Sequence, residues 1–204
     1  MRVSKEQMAE NRERILATAA QLFRERGFDG IGVADLMKTA GLTHGGFYGH
    51  FASKEDLMAQ ASARAVEQIC GRWREMLEHT PDDPRAALEQ AYLTPRHRDA
   101  PGEGCLMAAL GADAARQGPG VRRAVTEGFT KMLDLLTAAM PGRSKAARRQ
   151  KALADYASLV GALVLARAVD DAALSDEILH AAPAALHVSA AAAAAPAGPG
   201  SPAA

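Results

Sequence analysis

Apolar side chains recur along nearly the whole chain at intervals of three and four, and no convincing alternating apolar–polar run interrupts them. That spacing lines one face of a helix and leaves no half-buried strand, so the expected fold class is all-α. Ile15, Ala19, Leu22 and Phe23 form the first stripe, in a helix over about 8–26 that leaves Arg12, Glu13, Arg14 and Arg24 outside and stops at Gly27. Val33, Leu36, Met37 and Ala40 form a second, ended by Gly41, and Thr43 caps a third short helix reaching about Phe51. Ser53 opens a long helix to about His79, with Leu57, Ala61, Ala65, Ile69, Trp73 and Met76 on its stripe.

Pro81 and Pro84 break the chain, and helices are expected again over 85–94, 105–117 and from Pro119, where Val121, Val125, Gly128, Phe129, Met132 and Leu136 share a face. Thr94 to Gly104, TPRHRDAPGEG, reads as a loop. Ser144 caps a helix to about Val169, with Leu153, Tyr156, Val160 and Leu163 or Val164 inward, and Ser175 caps a last piece, SDEILHAA. From Pro183 the chain is nearly all Ala, Pro, Gly and Ser, too poor in large apolar groups to offset ordering entropy; residues 183–204 are expected to be a mobile tail.

Composition bounds the partners. With 24 Lys and Arg against 24 Asp and Glu, the net charge is +0, so any nucleic-acid binding has to rest on local positive groups. No apolar run approaches the ~20 residues that span a bilayer, and the charged start MRVSKEQMAENRERIL has no signal-peptide core. The two cysteines, Cys70 and Cys105, form no disulfide framework. The expectation is a cytoplasmic protein with no membrane partner and no cofactor. His79, His97, His180 and His187 lack metal-ligand spacing, so no metal site is expected.

Three helices in the first 51 residues, the last two short and joined by Ala40-Gly41-Leu42, fit a helix-turn-helix. Gly41 permits the sharp turn, and Leu42 can plug the angle between the helices. The third helix is weak by propensity, because three glycines each cost about 1 kcal/mol against alanine. Close approach of its backbone to a DNA groove would explain that weakness. Phe47 and Phe51 share one face and anchor the segment, which turns Tyr48 away with its hydroxyl free for a phosphate. Thr43, His44, Gly45 and Gly46 form the turn that a recognition helix presents to base edges. Lys54 can neutralise a phosphate, and His50 either contacts DNA or orients its neighbours.

The stretch from Val33 to Leu57, VADLMKTAGLTHGGFYGHFASKEDL, closely resembles the signature of TetR-family repressors. Ala40-Gly41-Leu42, Tyr48, His50-Phe51 and Ser53-Lys54 all fall in register, and the Phe23 to Phe28 lead-in agrees. The resemblance implies an all-α homodimer: residues 1–53 as a helix-turn-helix reading palindromic operator DNA, and residues 54–182 as a helical-bundle effector-binding and dimerisation domain. Helix 54–79 would connect the two, and segments 144–169 and 175–182 would form the dimer contact. Two departures stand out. Ile31 and Gly32 replace the family's usual Ser or Thr at the start of the second helix, and Met37 stands where alanine is common.

Trp73, Tyr92, Cys105, Met107, Phe129, Met132 and Tyr156 are the candidates to line an effector pocket between helices; such an aromatic or Met stripe is more often plain core. Cys105 follows Gly104 and opens a helix, where free N–H groups favour a thiolate. Gly104-Cys105-Leu106 also resembles a segment of some TetR-like regulators that sense electrophiles or oxidants, while the plain alternative is a small buried cysteine. Cys70 lies deep in an apolar stripe and reads as structural. Three functions are therefore weighed: a repressor released by a small-molecule effector, a thiol-based redox regulator using Cys105, and a small helical enzyme. For the last, no nucleophile–base pair, metal cluster or phosphate loop is found.

Overall fold

The computed structural model describes residues 4–80 and 82–182, and among these residues the only regular elements are helices. The expected tail, 183–204, lies outside the described residues. α1 spans Lys5–Arg26, α2 Val33–Thr39, and a 3-10 helix His44–Gly49. α3 covers Lys54–His79, α4 Pro84–Tyr92, α5 Pro95–Asp99, and a second 3-10 turn Pro101–Glu103. α6 is Leu106–Ala114, α7 Pro119–Ala139 and α8 Lys145–Ala168; a last helix, α9, occupies 172–182.

The helix limits follow from capping chemistry. The Ser4, Ser53 and Ser144 hydroxyls each accept an amide hydrogen three residues on, at 3.1, 3.0 and 3.1 Å, satisfying donors that a helix start leaves free. At Ser53 the exchange is reciprocal in spirit, since the Asp56 carboxylate accepts from the Ala52 amide at 3.1 Å. Gly27 and Gly41 end α1 and the α2 turn with φ of 79° and 71°, a region that side chains disfavour. α2 begins at Gly32 with no side-chain cap, as the loss of Ser or Thr there implies, and Ile31 is instead buried in the core.

One continuous core runs through the molecule. Phe23, Phe28, Leu36, Met37, Phe47, Phe51 and Leu57 fill the amino-terminal part, with Phe23 and Phe28 centroids 5.4 Å apart. α3 is the central beam: it packs on α1 on one side and on α7 on the other, and α7 in turn packs on α8. The α3–α7 crossing is close because Gly128 faces Val66; a Cβ at 128 would sit 2.7 Å from Val66 Cγ2.

Several expectations need correction. The segment Thr94 to Gly104 is not a loop: Thr94 caps α5, with its hydroxyl accepting from the His97 amide at 3.1 Å, and Pro95 takes the first helical position. α6 is also shorter than the expected 105–117. Arg24 is buried rather than outside, and Arg12 is half-buried. On α8, Leu163 faces inward, whereas Leu153 and Val164 are exposed. Ser175 is no cap; α9 starts earlier, where the Asp171 carboxylate accepts from the Leu174 amide at 3.0 Å, and the buried Ser175 hydroxyl donates to the Ala166 carbonyl at 2.7 Å.

Candidate DNA-reading surface and inner cavity

The segment expected to read DNA forms a 3-10 helix, not the α-helix its periodicity suggests. Thr43 is its N-cap residue by position but makes no side-chain capping bond. Phe47 and Phe51 are buried with centroids 5.8 Å apart, which fixes one face and turns Tyr48 outward, 70% exposed. Thr43, His44 and Gly45 are exposed, Gly46 and His50 half-buried, and Lys54 sits half-buried at the first turn of α3.

The glycines here answer to no internal demand. None has positive φ, and a Cβ at Gly45 or Gly49 would meet nothing within 4 Å. Gly46 would make only ordinary contacts, with Thr43 Oγ1 at 3.7 Å and Met37 Cε at 3.8 Å. Behind this surface Arg12 lies over the Phe51 ring, 4.9 Å from its centroid, and donates to Gln60 Oε1. Gln60 donates in turn to Asp56 at 2.7 Å. That relay braces the turn into α3, a role the reading of Arg12 as a solvated cation missed.

Behind this surface, α3, α4, α5 and the second 3-10 turn border an open-mouthed cavity of about 390 Å³. Of the seven expected pocket residues, Trp73, Tyr92 and Cys105 line it. Tyr156 stands behind, with its hydroxyl 3.1 Å from Cys105 Sγ and its ring 5.7 Å from Phe129 and 6.0 Å from Trp73. Met132 is buried core, and Met107 packs against that core without lining the cavity. Burial, then the neighbouring Cys105, pushes the Tyr92 and Tyr156 hydroxyls well above the usual phenol range.

The wall missed from the sequence is the segment from His97 to Cys105. His97 Nδ1 donates to the Tyr92 carbonyl at 2.7 Å, so its Nε2 carries the lone pair that accepts from the Cys105 amide at 3.0 Å. The ring is thereby held in one neutral tautomer, and burial holds its pKa below the ordinary value, with Arg167 and Arg72 acting the same way. Cys105 itself is the N-cap residue of α6, 2% exposed, with its thiol turned to Tyr156.

Three arginines from three helices hold the backbone of this strap. Arg24 of α1 donates through Nε to the Gly102 carbonyl at 2.9 Å, Arg72 of α3 to the Glu103 carbonyl at 2.7 Å, and Arg167 of α8 to the Arg98 carbonyl at 3.0 Å. Burial and the nearby Arg72 lower the Arg24 pKa to about 10. At the α1 contact Gly102 packs closely on the Glu25 and Gln21 side chains, which a Cβ there would push aside. The strap therefore joins the cavity wall to the helix that leads into the helix-turn-helix. The cap-plus-proline pair Thr94-Pro95 was the one local signal of order here.

Among the described residues no helix is long and apolar enough to cross a membrane, and no three His, Cys, Asp or Glu side chains group to hold a metal ion. Residues 15–61 match the family model of the bacterial regulatory proteins of the tetR family. The chain is similar to the HTH-type transcriptional repressor NemR of Escherichia coli K12, 31% identical over 134 residues that cover 64% of this chain and 67% of that protein. It is also similar to the repressor KstR2 of Rhodococcus jostii, 35% identical over 83 residues, 41% of this chain and 40% of that one. Among solved structures, the reduced form of E. coli NemR superimposes with a TM-score of 0.72 at 29% identity, covering 87% of this chain and 95% of that chain. A TetR regulator from Chloroflexus aurantiacus gives 0.72 at 26% identity, covering 90% and 95%. With the helix-turn-helix, the all-helical body behind it and this similarity along most of the chain, the protein belongs to the TetR family of transcriptional regulators.

Proposed function

We propose that the protein is a cytoplasmic, homodimeric repressor that reads a palindromic operator through residues 1–53 and is released when a small molecule enters the cavity in residues 54–182. The observation that carries this reading is the shared strap. The segment 97–105 walls the cavity and is tied by Arg24 to α1, so an occupant that displaces the strap also pulls on the reading head. Operator half-sites lie about 34–36 Å apart, and a small tilt of each α1 would spoil that spacing. Effector and operator affinities are then reciprocally coupled.

At the reading surface, Tyr48 and Lys54 are assigned to phosphates, and Thr43, His44, Gly45 and Gly46 to groove contact, with His50 orienting the turn. Dimerisation is assigned to α8 and α9: Leu153, Val164, Leu165 and Leu174, from 40 to 57% exposed, give these helices an outward apolar face. Selection from a random duplex library tests the reading. The wild-type chain should enrich a two-fold symmetric site, Tyr48→Ala and Lys54→Ala should lose it, and Leu165→Glu should sediment as a monomer and bind half-sites weakly. Enrichment of no sequence, or a monomeric wild type that still selects a palindrome, would overturn it.

A second reading, regulation through the Cys105 thiol, is favoured by one observation: the sulfur ends the strap and touches Tyr156 inside the cavity wall, so a larger oxidised sulfur would strain the same contact. Operator release by peroxide that persists unchanged in Cys105→Ser would sink it.

A further inference from the structure

The cavity's chemistry is uneven. Its inner side is apolar: Ile69, Trp73 and Met76 come from successive turns of α3, and the Tyr92 ring from α4. Its rim is cationic. Arg72 is exposed and oriented by its single bond to the Glu103 carbonyl, leaving further donors of the guanidinium open. Arg96, 88% exposed, reaches the Glu103 carboxylate at 3.4 Å. Two guanidiniums thus meet at Glu103, Arg72 on its backbone carbonyl and Arg96 on its carboxylate, and His97, with both ring nitrogens engaged, adds no charge.

Behind the strap the excess continues. Arg24 and Arg167 are each bound to backbone carbonyls, and each has a buried Nη1 with no hydrogen-bond partner. Burial lowers both Arg24 and His97, and the Arg72 charge adds to the lowering at each, against Glu25 and Glu103 at Arg24. A cation entering here would meet that positive charge; an anion would relieve it.

We propose that the cavity binds a small organic acid, with its carboxylate on Arg72 and Arg96 and its flat apolar body against Trp73 and Met76. The inference rests on the effector reading above and adds the ligand's class. Arg96 already meets the Glu103 carboxylate and Arg72 the Glu103 carbonyl, so the incoming acid competes with both contacts. Drawing Arg72 and Arg96 to the ligand frees Glu103, and with it the strap that Arg24 ties to α1.

Trp73 is the chain's one tryptophan and lines the cavity, so its emission reports occupancy without ambiguity. The full dimer is titrated with 3-phenylpropionate, with its neutral isostere 3-phenylpropionamide, and with 3-phenylpropylamine. The acid should bind about tenfold or more tightly than the amide, the factor set by a charge-assisted hydrogen bond, and the amine most weakly. Arg72→Gln with Arg96→Gln should erase the preference while the amide still binds, and Glu103→Gln should strengthen acid binding; all three side chains are exposed, and thermal melts check that the variants fold. Equal affinity for acid and amide, tighter binding of the amine, or a preference that survives both arginine replacements would overturn the ligand class while leaving an effector cavity in place. If none of the three probes alters Trp73 emission up to saturation, the class and the effector reading fall together.

Discussion

Glycine serves opposite ends in the two halves of this molecule. At Gly45 and Gly49, in the reading segment, an added Cβ would enter open space and the backbone has no positive φ. At Gly104 and Gly128 the same addition would meet the His97 ring at 2.6 Å and Val66 at 2.7 Å. The internal glycines are demanded by what already surrounds them. Those of the recognition turn cost helix stability, and nothing inside the protein requires them. The function proposed above supplies a reason outside the chain: a backbone close to DNA would tolerate no side chain there. Absence of neighbours is informative at a surface built for a partner; crowding is informative in a core.

The contrast can be broken in order of effect. Gly128→Val should cost about 3 kcal/mol, because a branched side chain wedged against the branched Val66 forces α3 and α7 apart. Denaturant unfolding measures it, and Val66→Ala on the same background should recover part of the loss, as a double-mutant cycle would register. An unchanged midpoint would show that the crossing is not tight.

Gly104→Ala comes next. Its Cβ displaces the His97 ring and strands the Cys105 amide, a buried donor whose isolation costs about 1–3 kcal/mol. Loss of the neutral Nδ1–H tautomer in the imidazole NMR spectrum is the direct check; a retained tautomer would contradict the geometry. Gly45→Ala should act in reverse: stability unchanged or raised by up to about 1 kcal/mol, with operator binding weakened. Tighter operator binding would end the external explanation for that glycine.

The smallest effect is that of acid on His97. Its folded pKa lies below the ordinary 6.5, so the unfolded chain takes up a proton first as pH falls. Its contribution is fully present above 6.5 and is lost as pH descends from 6.5 through the lower folded value. His97→Asn should remove that part of the pH dependence below 6.5; a variant with the wild-type profile would assign the slope elsewhere.

Much of the fold was legible because its signals are local. Ser53 with Asp56, Gly27, Gly41 and the spacing of Phe47 and Phe51 declare helix ends and buried faces within a few residues of themselves. The exposed positions of Tyr48 and His44 followed from the same register. The cavity was only partly legible. Trp73, Tyr92 and Cys105 were found as apolar or polarisable side chains on helix faces, but Met107, Phe129 and Met132 have the same sequence character and do not line this cavity. Leu153 and Val164 show the same limit on α8, where a wide apolar stripe serves both the core and an exposed face.

What the sequence determined by itself is the helical class, the main capped boundaries and the reading segment, because periodicity, caps and turn residues act over a few positions. Only the tertiary structure decided that the reading segment winds as a 3-10 helix, that His97 is pinned as a neutral acceptor, and that Arg24 is a buried tie across 78 residues to Gly102. For His97 and Arg24 the physical reason is the same. A buried polar group takes the partner that packing brings to it, and packing brings together segments whose sequence separation leaves no trace in either one.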